Sequence, residues 1–589
     1  MTPPPTEALP QLRRAVRIAN CSGFFGDRLS AAKEMVEGGE IDVLTGDWLA
    51  ELTMLILHKQ RSRNPELGYA GTFPRQMEQV LATCLERGIK VVTNAGGLNP
   101  QGCADQVRQV AARLGLDVKV AHVEGDDLMP RIDDLRPQLA HLDTGEPLTG
   151  VPITANAYLG GWGVAAALTA GADVVVCGRI TDAALVVGPA AWWHGWATDD
   201  WDALAGAVVA GHVIECGTQA TGGNYSWFEE IPDPTLPLGF PLAEVAADGS
   251  SIITKHAGTG GVVNVGTVTA QLLYEIASPA YANPDVVARF DTIRVEQAGD
   301  DRVRISGTVG EPAPLTTKVC INLDGGYRNR MSFVLTGLDQ QRKAQWLTDA
   351  LFRRVGGKDR FDEVDVRFVE APSDAPTQEQ ASGRLHVTVK SRDERLAGKA
   401  FSGAAIELAL ANYPGFFATG GPSEAQSYGV YWPALVAATD VQEVVVLPDA
   451  TRQPVPRPGV GGTHDGLAPT QFEPTPSAPS IVAAGPQPGE PLGAHFAARS
   501  GDKGGNANVG IWARDAAGYA WLHEHLTAAA VQRLLPEAAG LEVRRYELPN
   551  ITALNFVIVG LLGEGVASST AFDAQAKGLG EYLRSRVWQ

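Results

Sequence analysis

The chain has 589 residues, 44% of them hydrophobic, with 66 Gly, 38 Pro, 12 Trp and 17 Phe, enough apolar mass for more than one packed domain and too much for a disordered chain. Its 48 Lys and Arg stand against 67 Asp and Glu, a formal net charge of −19. That excludes general nucleic-acid binding, which draws affinity from cations on phosphates, but not a local basic pocket for a small anion. The six cysteines (Cys21, Cys84, Cys103, Cys177, Cys216, Cys320) show no CxxC or paired spacing, which argues against a disulfide scaffold or structural zinc and for a reduced compartment. No stretch approaches the roughly 18–20 uninterrupted apolar residues of a membrane span. Met1–Pro10 is Pro-rich without an apolar signal core, so residues 1–12 are expected to be a flexible tail on a cytoplasmic protein with no membrane partner.

From residue 13 the pattern alternates strand and helix. Apolar β-branched runs at 15–19, 41–45, 90–93, 118–123 and 173–176 are separated by helical patterns near 29–38, 48–59, 74–87, 102–114 and 156–170. Such spacing predicts βαβ units around a mostly parallel sheet. The body spans 13–448, with an α+β subdomain expected over 291–448. Pro recurs through 449–490, read as a semi-rigid linker. Residues 491–589 read as a small ββαββα domain, with strands near 493–498, 508–513, 541–547 and 553–560 and helices at 526–535 and 570–584. The fold class is therefore α/β, a layered parallel body with an α+β carboxy-terminal domain.

One placement repeats. Each early strand stops at a short loop of Gly, Asn and Asp, and in a parallel sheet those loops share the edge where such folds bind ligands. Asp27 and Asp47 follow the first two strands, with Glu51 one helical turn beyond Asp47. Neighbouring carboxylates can divide into acid and base, although Asp is also a helix-capping residue. Thr93–Pro100 opens a helix with Asn94, Gly96, Gly97 and Asn99, which suits an anion at a helix N-terminus. Gly178–Asp182 offers Arg179 as a bidentate cation, Thr181 as a hydroxyl and Asp182 as a carboxylate, or else an internal ion pair. Glu215-Cys216-Gly217 supplies a base and a thiol, and the Gly-rich turn after it carries Asn224. Lys255 precedes a Gly-rich loop suited to phosphate or to a plain turn. Between the first two strands of the last domain, 499–508 packs Arg499, Ser500, Asp502 and Lys503 into more polar sequence than a hairpin turn needs. His523-Glu524-His525 lacks metal-ligand spacing, the other histidines are scattered, and no metal site is expected.

Several runs resemble the acyclic terpene utilisation (AtuA) family: Arg17–Arg28, Asn94–Pro100, Asn156–Gly160, Gly171–Asp173 with Gly178–Leu185, His212–Gly217 with Thr221–Asn224, Gln271–Ile276 and Tyr413–Phe416. The last domain is similar to the AtuA-type carboxy-terminal domain through Arg499–Gly504, Arg545–Pro549 and Leu554-Asn555-Phe556. The resemblance implies bacterial breakdown of citronellol- and geraniol-type terpenes through acyl-CoA intermediates. It points to a lyase or hydratase acting on a branched acyl-CoA or related acid; Asn156 and Tyr158, within one of the matching runs, are further candidate substrate contacts. No redox cofactor is required, and coenzyme A enters as part of the substrate. The alternatives are a hydrolase or transferase using Ser500 or Cys216, and a non-catalytic scaffold subunit of an acyl-CoA pathway. A homo-oligomer is expected.

Overall fold

The computed structural model describes residues 13–455, 457 and 482–589. The expected tail and the centre of the Pro-rich stretch fall outside the described residues. The chain forms two compact units. One takes the described residues up to Asn322 with those of 432–566 and 575–589; the other holds Leu323–Tyr431 with Ala567–Ala574.

The larger unit is α/β around an 11-stranded sheet. Its strands include β1 (Val16–Asn20), β2 (Val43–Gly46), β3 (Lys90–Thr93), β4 (Val120–Glu124), β6 (Val174–Cys177), β7 (Pro241–Val245) and β8 (Ser251–Lys255), while β5 (Pro152–Ala157) lies outside it. The middle runs β1-β2-β3-β6-β4, all parallel, as the β-branched runs separated by helices predict. Val174, Val175, Val176 and Cys177 are wholly buried, as a strand covered on both faces must be. On one side β7, β8, Arg302–Ser306 and Arg294–Gly299 add antiparallel strands; on the other, Val444–Val446 and Arg452–Pro454 do.

Local chemistry sets the crossover helices. Pro100–Leu114 begins at Asn99, whose Oδ1 accepts the Gly102 N–H at 2.9 Å, and stops at Gly115 in the left-handed region. Trp201–Ile214 is apolar nearly all round and is buried from Ala203 to Ile214. The single helix expected over 156–170 is two elements: β5 ends at Ala157, and Trp162–Thr169 is the helix. The Gly160-Gly161 pair breaks the pattern. A Cβ at Gly160 would sit 2.1 Å from the Asp285 carboxylate, so only Gly fits where the chain passes Asp285, and Gly161 caps the helix that follows.

The carboxy-terminal domain is a four-stranded antiparallel sheet, in the order Ala497–Lys503, Asn506–Trp512, Ala553–Ile558, Val543–Leu548. The helix expected at 526–535 is Ala528–Leu534, preceded by another at Ala516–His525; that expected over 570–584 is confined to Leu579–Ser585. The polar run 499–508 is not a loop. Arg499 to Lys503 and Asn506 to Asn508 are strand residues in register, joined by Gly504-Gly505 alone. The polarity of Arg499, Lys503, Asn506 and Asn508 belongs to one sheet face, while Ser500 and Asp502 alternate onto the other. One face carries the domain core (Ala498, Val509, Ile511, Phe556), while the other lies on the body of the same unit. There Asn508 donates to Leu273 O at 3.0 Å and accepts the Glu275 N–H at 2.8 Å, and Asn555 donates to Ile276 O and Ala277 O. Added Cβ atoms at Gly501 and Gly510 would strike Tyr274 and Leu273 at 2.4 and 2.5 Å, so the glycines permit this approach.

The smaller unit packs helices Gln340–Arg354 and Phe401–Glu407 on a sheet in which Glu363–Val369, Ser382–Ser391 and the long strand Thr316–Thr336 lie side by side.

Candidate functional site

The loops that follow the parallel strands meet at one edge of the large sheet. After β2 comes Asp47, which is 6% exposed. Asn94, from the loop after β3, donates from Nδ2 to Asp47 Oδ1 at 2.5 Å and accepts the Trp48 N–H at 2.8 Å, locking two adjacent loops together. After β4, Asp126 Oδ2 accepts the Arg179 N–H at 2.9 Å and Asn156 Nδ2 at 2.8 Å, which ties the loop after β6 to β5. Arg179 then extends its guanidinium to Leu49 O and Asp182 Oδ1, both at 2.8 Å, and lies 4.3 Å over the Tyr158 ring. Tyr158 donates to Glu51 Oε1 at 3.2 Å, and Lys318, near the start of the long strand, stands 3.7 Å from Glu51 and 5.1 Å over the same ring.

Other parts of the unit close this edge. Glu215 follows the buried helix Trp201–Ile214, its Oε1 3.4 Å from His212 Nδ1. Lys503 comes from the carboxy-terminal domain and donates to Glu275 O at 2.6 Å, 5.5 Å over the Tyr281 ring. Lys577 pairs with Glu275 and Asp502 at 3.6 and 3.8 Å and hydrogen-bonds Tyr274. Arg499 lies 4.1 Å over Tyr274 and donates to Gln219. Side chains of Glu51, Asp182, Lys318 and Glu275 keep 29, 30, 30 and 35% of their surface open. Charged side chains with that much open surface line a solvent-facing cleft rather than a packed core.

Charge in the cleft is finely divided. Burial, then the charge of Asp182, pushes the Asp47 carboxyl well up, against Arg179 and the Asn94 amide. Glu215 is raised by burial and then by Asp182 and Glu275. Asp182 also rises through burial, with Arg179 opposing. The charge of Asp182 disfavours ionisation of both Asp47 and Glu215, so these titrations are linked. Glu51 differs: burial acts to raise it, but Lys318 and Arg179 prevail and hold it at about 2. It is a fixed anion. Burial and then Lys503 lower His212 to about 4, leaving a neutral imidazole at pH 7; Lys503 itself is lowered by burial and by Lys318. Burial and then Glu275 lift Asp502 to about 7.

Of the residues singled out from the sequence, Asp47, Asp182, Glu215, Tyr158, Arg179, Asp502, Lys503 and Arg499 come together here, with Asn94 and Asn156 as supports one contact away. Others do not. Asp27 is used by its own turn, accepting the Gly23 and Arg28 N–H groups at 2.9 and 2.8 Å. Asn99 caps its helix, and its amide donates to Glu66 O and Leu67 O. Gly96 and Gly97 serve packing: added Cβ atoms would fall 2.5 Å from Cys177 O and 2.2 Å from Leu57 Cδ1. Asn224 is an exposed turn residue at φ 57°. Lys255 pairs with Asp301 at 2.9 Å and donates to Thr259 O, so no phosphate loop forms around it. Ser500 is buried, donating to Ala576 O at 2.6 Å and accepting the Gly580 N–H. Burial and Glu215 raise the Cys216 thiol well above its ordinary range, the wrong direction for a nucleophile. Thr181 keeps a buried hydroxyl without a protein partner in the loop between Arg179 and Asp182.

Sequence reasoning did not place Lys318, Glu275, Tyr281 and His212 in the site, nor Asp126 as a support behind it. Glu275 and His212 lie within runs that carried the family resemblance, which was their only signal; Lys318 sits in a strand with no motif around it. Among the described residues no three His, Cys, Asp or Glu converge as metal ligands, and no helix is long and apolar enough to cross a membrane.

No curated protein matches the chain in sequence. Residues 16–447 match the model of the acyclic terpene utilisation family protein AtuA, and 491–588 match the AtuA ferredoxin-like domain. Together the two matches take in every element that lines the cleft. The chain therefore belongs to the AtuA family and carries that family's ferredoxin-like domain at its carboxy-terminal end.

Proposed function

We propose that this protein is a cytoplasmic lyase of the hydratase type, adding or eliminating water or a carbon nucleophile next to the carbonyl of a branched acyl-CoA or related acid. The observation that carries the reading is the juxtaposition, in one cleft, of buried carboxyls raised above their ordinary range (Asp47, Asp182, Glu215) with cations from three separate elements (Arg179, Lys318, Lys503). Addition–elimination needs both. One carboxylate removes the proton on the carbon beside the carbonyl, and a second, protonated carboxyl gives its proton to the departing hydroxyl. The electron pair rests on the carbonyl oxygen meanwhile, where Arg179 or Lys503 stabilises it. Asp47 and Glu215 are the pair assigned here, because both are buried and pushed well above the ordinary carboxyl range, and the charge of Glu215 disfavours ionisation of Asp47, so that the two can divide into base and acid. Glu51 stays charged and holds Lys318 and Tyr158 in place. Ser500 is enclosed by backbone contacts and Cys216 is held as a thiol, which disfavours the nucleophilic hydrolase.

The test is proton exchange. The full chain is incubated in D2O with 3-methylbut-2-enoyl-CoA, its hydrated form, and the free acids, and deuterium is followed by mass spectrometry. Incorporation on the carbon beside the carbonyl, lost in Asp47→Asn and Glu215→Gln, supports the reading. Absence of exchange and of hydration from all four compounds overturns it.

A further inference from the structure

The smaller unit has a strand edge that natural sheets usually protect. Glu363–Val369 pairs with Ser382–Ser391 over all seven residues without a register shift, and it is the terminal strand of its sheet. Among the described residues no strand lies on its other side. Edge strands are commonly blunted by charged side chains, Pro, a bulge or shortness. The sequence Glu-Val-Asp-Val-Arg-Phe-Val has no Pro and no bulge, and its charges, Glu363, Asp365 and Arg367, are of both signs. Val364, Val366 and Phe368 pack on the core of the unit. Glu363, Asp365, Arg367 and Val369 take the opposite face, where Val369 is 61% exposed and the side chains of Glu363 and Arg367 are 45 and 43% exposed.

The order of those residues is self-complementary. Two copies paired antiparallel must keep apolar opposite apolar, because a one-residue slip exchanges the faces. That leaves registers centred on a residue. Centred on Asp365, the axis sets that carboxylate against its own copy; on Arg367, it opposes two guanidiniums; on Val364, it brings Glu363 against Asp365 twice. Centred on Val366, all seven residues pair. Asp365 then faces Arg367 twice, Val364 faces Phe368 twice, and no like charges meet. Asp365 and Arg367 already stand 2.9 Å apart along the strand, so both charges are oriented on the face where the second copy would present its own.

We propose that the edge Glu363–Val369 is a homodimer interface, pairing antiparallel with the same strand of a second copy about a two-fold axis at Val366 and joining two sheets into one. Directly opposite cross-strand charge pairs stabilise such a contact, and like charges there oppose it. The inference is independent of the chemistry assigned to the cleft.

The experiment is light scattering after size-exclusion chromatography on the full chain, across a concentration series, with circular dichroism as the check on folding. Wild type is expected at twice the monomer mass. Asp365→Arg and Arg367→Asp, each placing like charges in opposition twice, should raise the dimer Kd by roughly ten- to a hundredfold. The double swap, Asp365→Arg with Arg367→Asp, restores both pairs and should return the Kd to within a few fold of wild type. Hydrogen exchange should show the alternate amides of 363–369 that point away from Ser382–Ser391 protected in wild type and losing protection on dilution. A monomeric wild type overturns the proposal. So does an oligomer indifferent to both single variants, or a folded double swap that stays dissociated.

Discussion

Asp47, Asp182 and Glu215 in the cleft and Asp126, Asp285 and Glu443 elsewhere in the larger unit are six carboxyls raised above their ordinary range, burial first in every case. The two sets keep different company. In the second set each carboxylate accepts a backbone N–H: Asp126 that of Arg179, Asp285 that of Gly161 at 2.8 Å, Glu443 that of Gly163 at 2.9 Å. The Gly161 and Gly163 amides stand at the start of Trp162–Thr169, so Asp285 and Glu443 satisfy helix-end donors, while Asp126 takes an N–H of the turn after β6. In the cleft Asp182 and Glu215 face side chains; Asp47, like Asp126, takes one Asn amide and one backbone N–H, and differs from it in facing the charges of Asp182, Arg179 and Glu215. A raised carboxyl is therefore a poor marker of function unless its partners are read as well.

That contrast can be broken by mutation. Asp47→Asn and Glu215→Gln should each lower turnover by roughly 10²- to 10⁴-fold, with the melting temperature unchanged or higher, because a neutral amide replaces a carboxyl already costly to ionise. Comparable loss of activity and of folded protein would place these residues with the structural set. Arg179→Lys keeps the charge but loses the two-pronged grip on Leu49 O and Asp182. Binding of an acidic substrate, measured by calorimetry, should weaken by about 1–3 kcal/mol; unchanged affinity and unchanged melting would exclude Arg179 from ligand contact.

Asp285→Ala leaves the Gly161 N–H buried without an acceptor, so denaturant unfolding should show a loss of about 1–3 kcal/mol while turnover per folded molecule stays the same. The gentlest effect is one of pH. Glu443 is raised to about 8 from an ordinary 4.5, so the folded state holds its proton more tightly than the unfolded chain. Its contribution to stability is complete below about pH 4.5 and is lost as pH rises through about 8. Glu443→Gln, which cannot ionise, should be more stable relative to wild type at pH 8 than at pH 5. A difference that does not vary with pH would show that Glu443 is not protonated in the fold.

Much of the architecture was written locally. β-Branched runs spaced by helical patterns specified the parallel sheet, and the Gly and Asn after each strand marked the edge that carries the cleft. Asn99 and Gly115 bracketed a helix by capping chemistry alone. Identical local signals parted ways at the next level: Asp27 and Asp47 both follow a strand with Gly before them, yet the first closes its own turn and the second is carried into the cleft by the Asn94 loop of the neighbouring strand. The polar run at 499–508 read as a loop because hydrogen bonds from Asn508 to a segment more than two hundred residues away are invisible along the chain. For the same reason Lys318, Glu275 and Tyr281 carried no signal of their own. Periodicity and turn chemistry act over a few residues, so the sequence by itself determined the elements and the edge at which they end. Which charges share a cleft depends on how distant elements pack, and only the tertiary structure decided that.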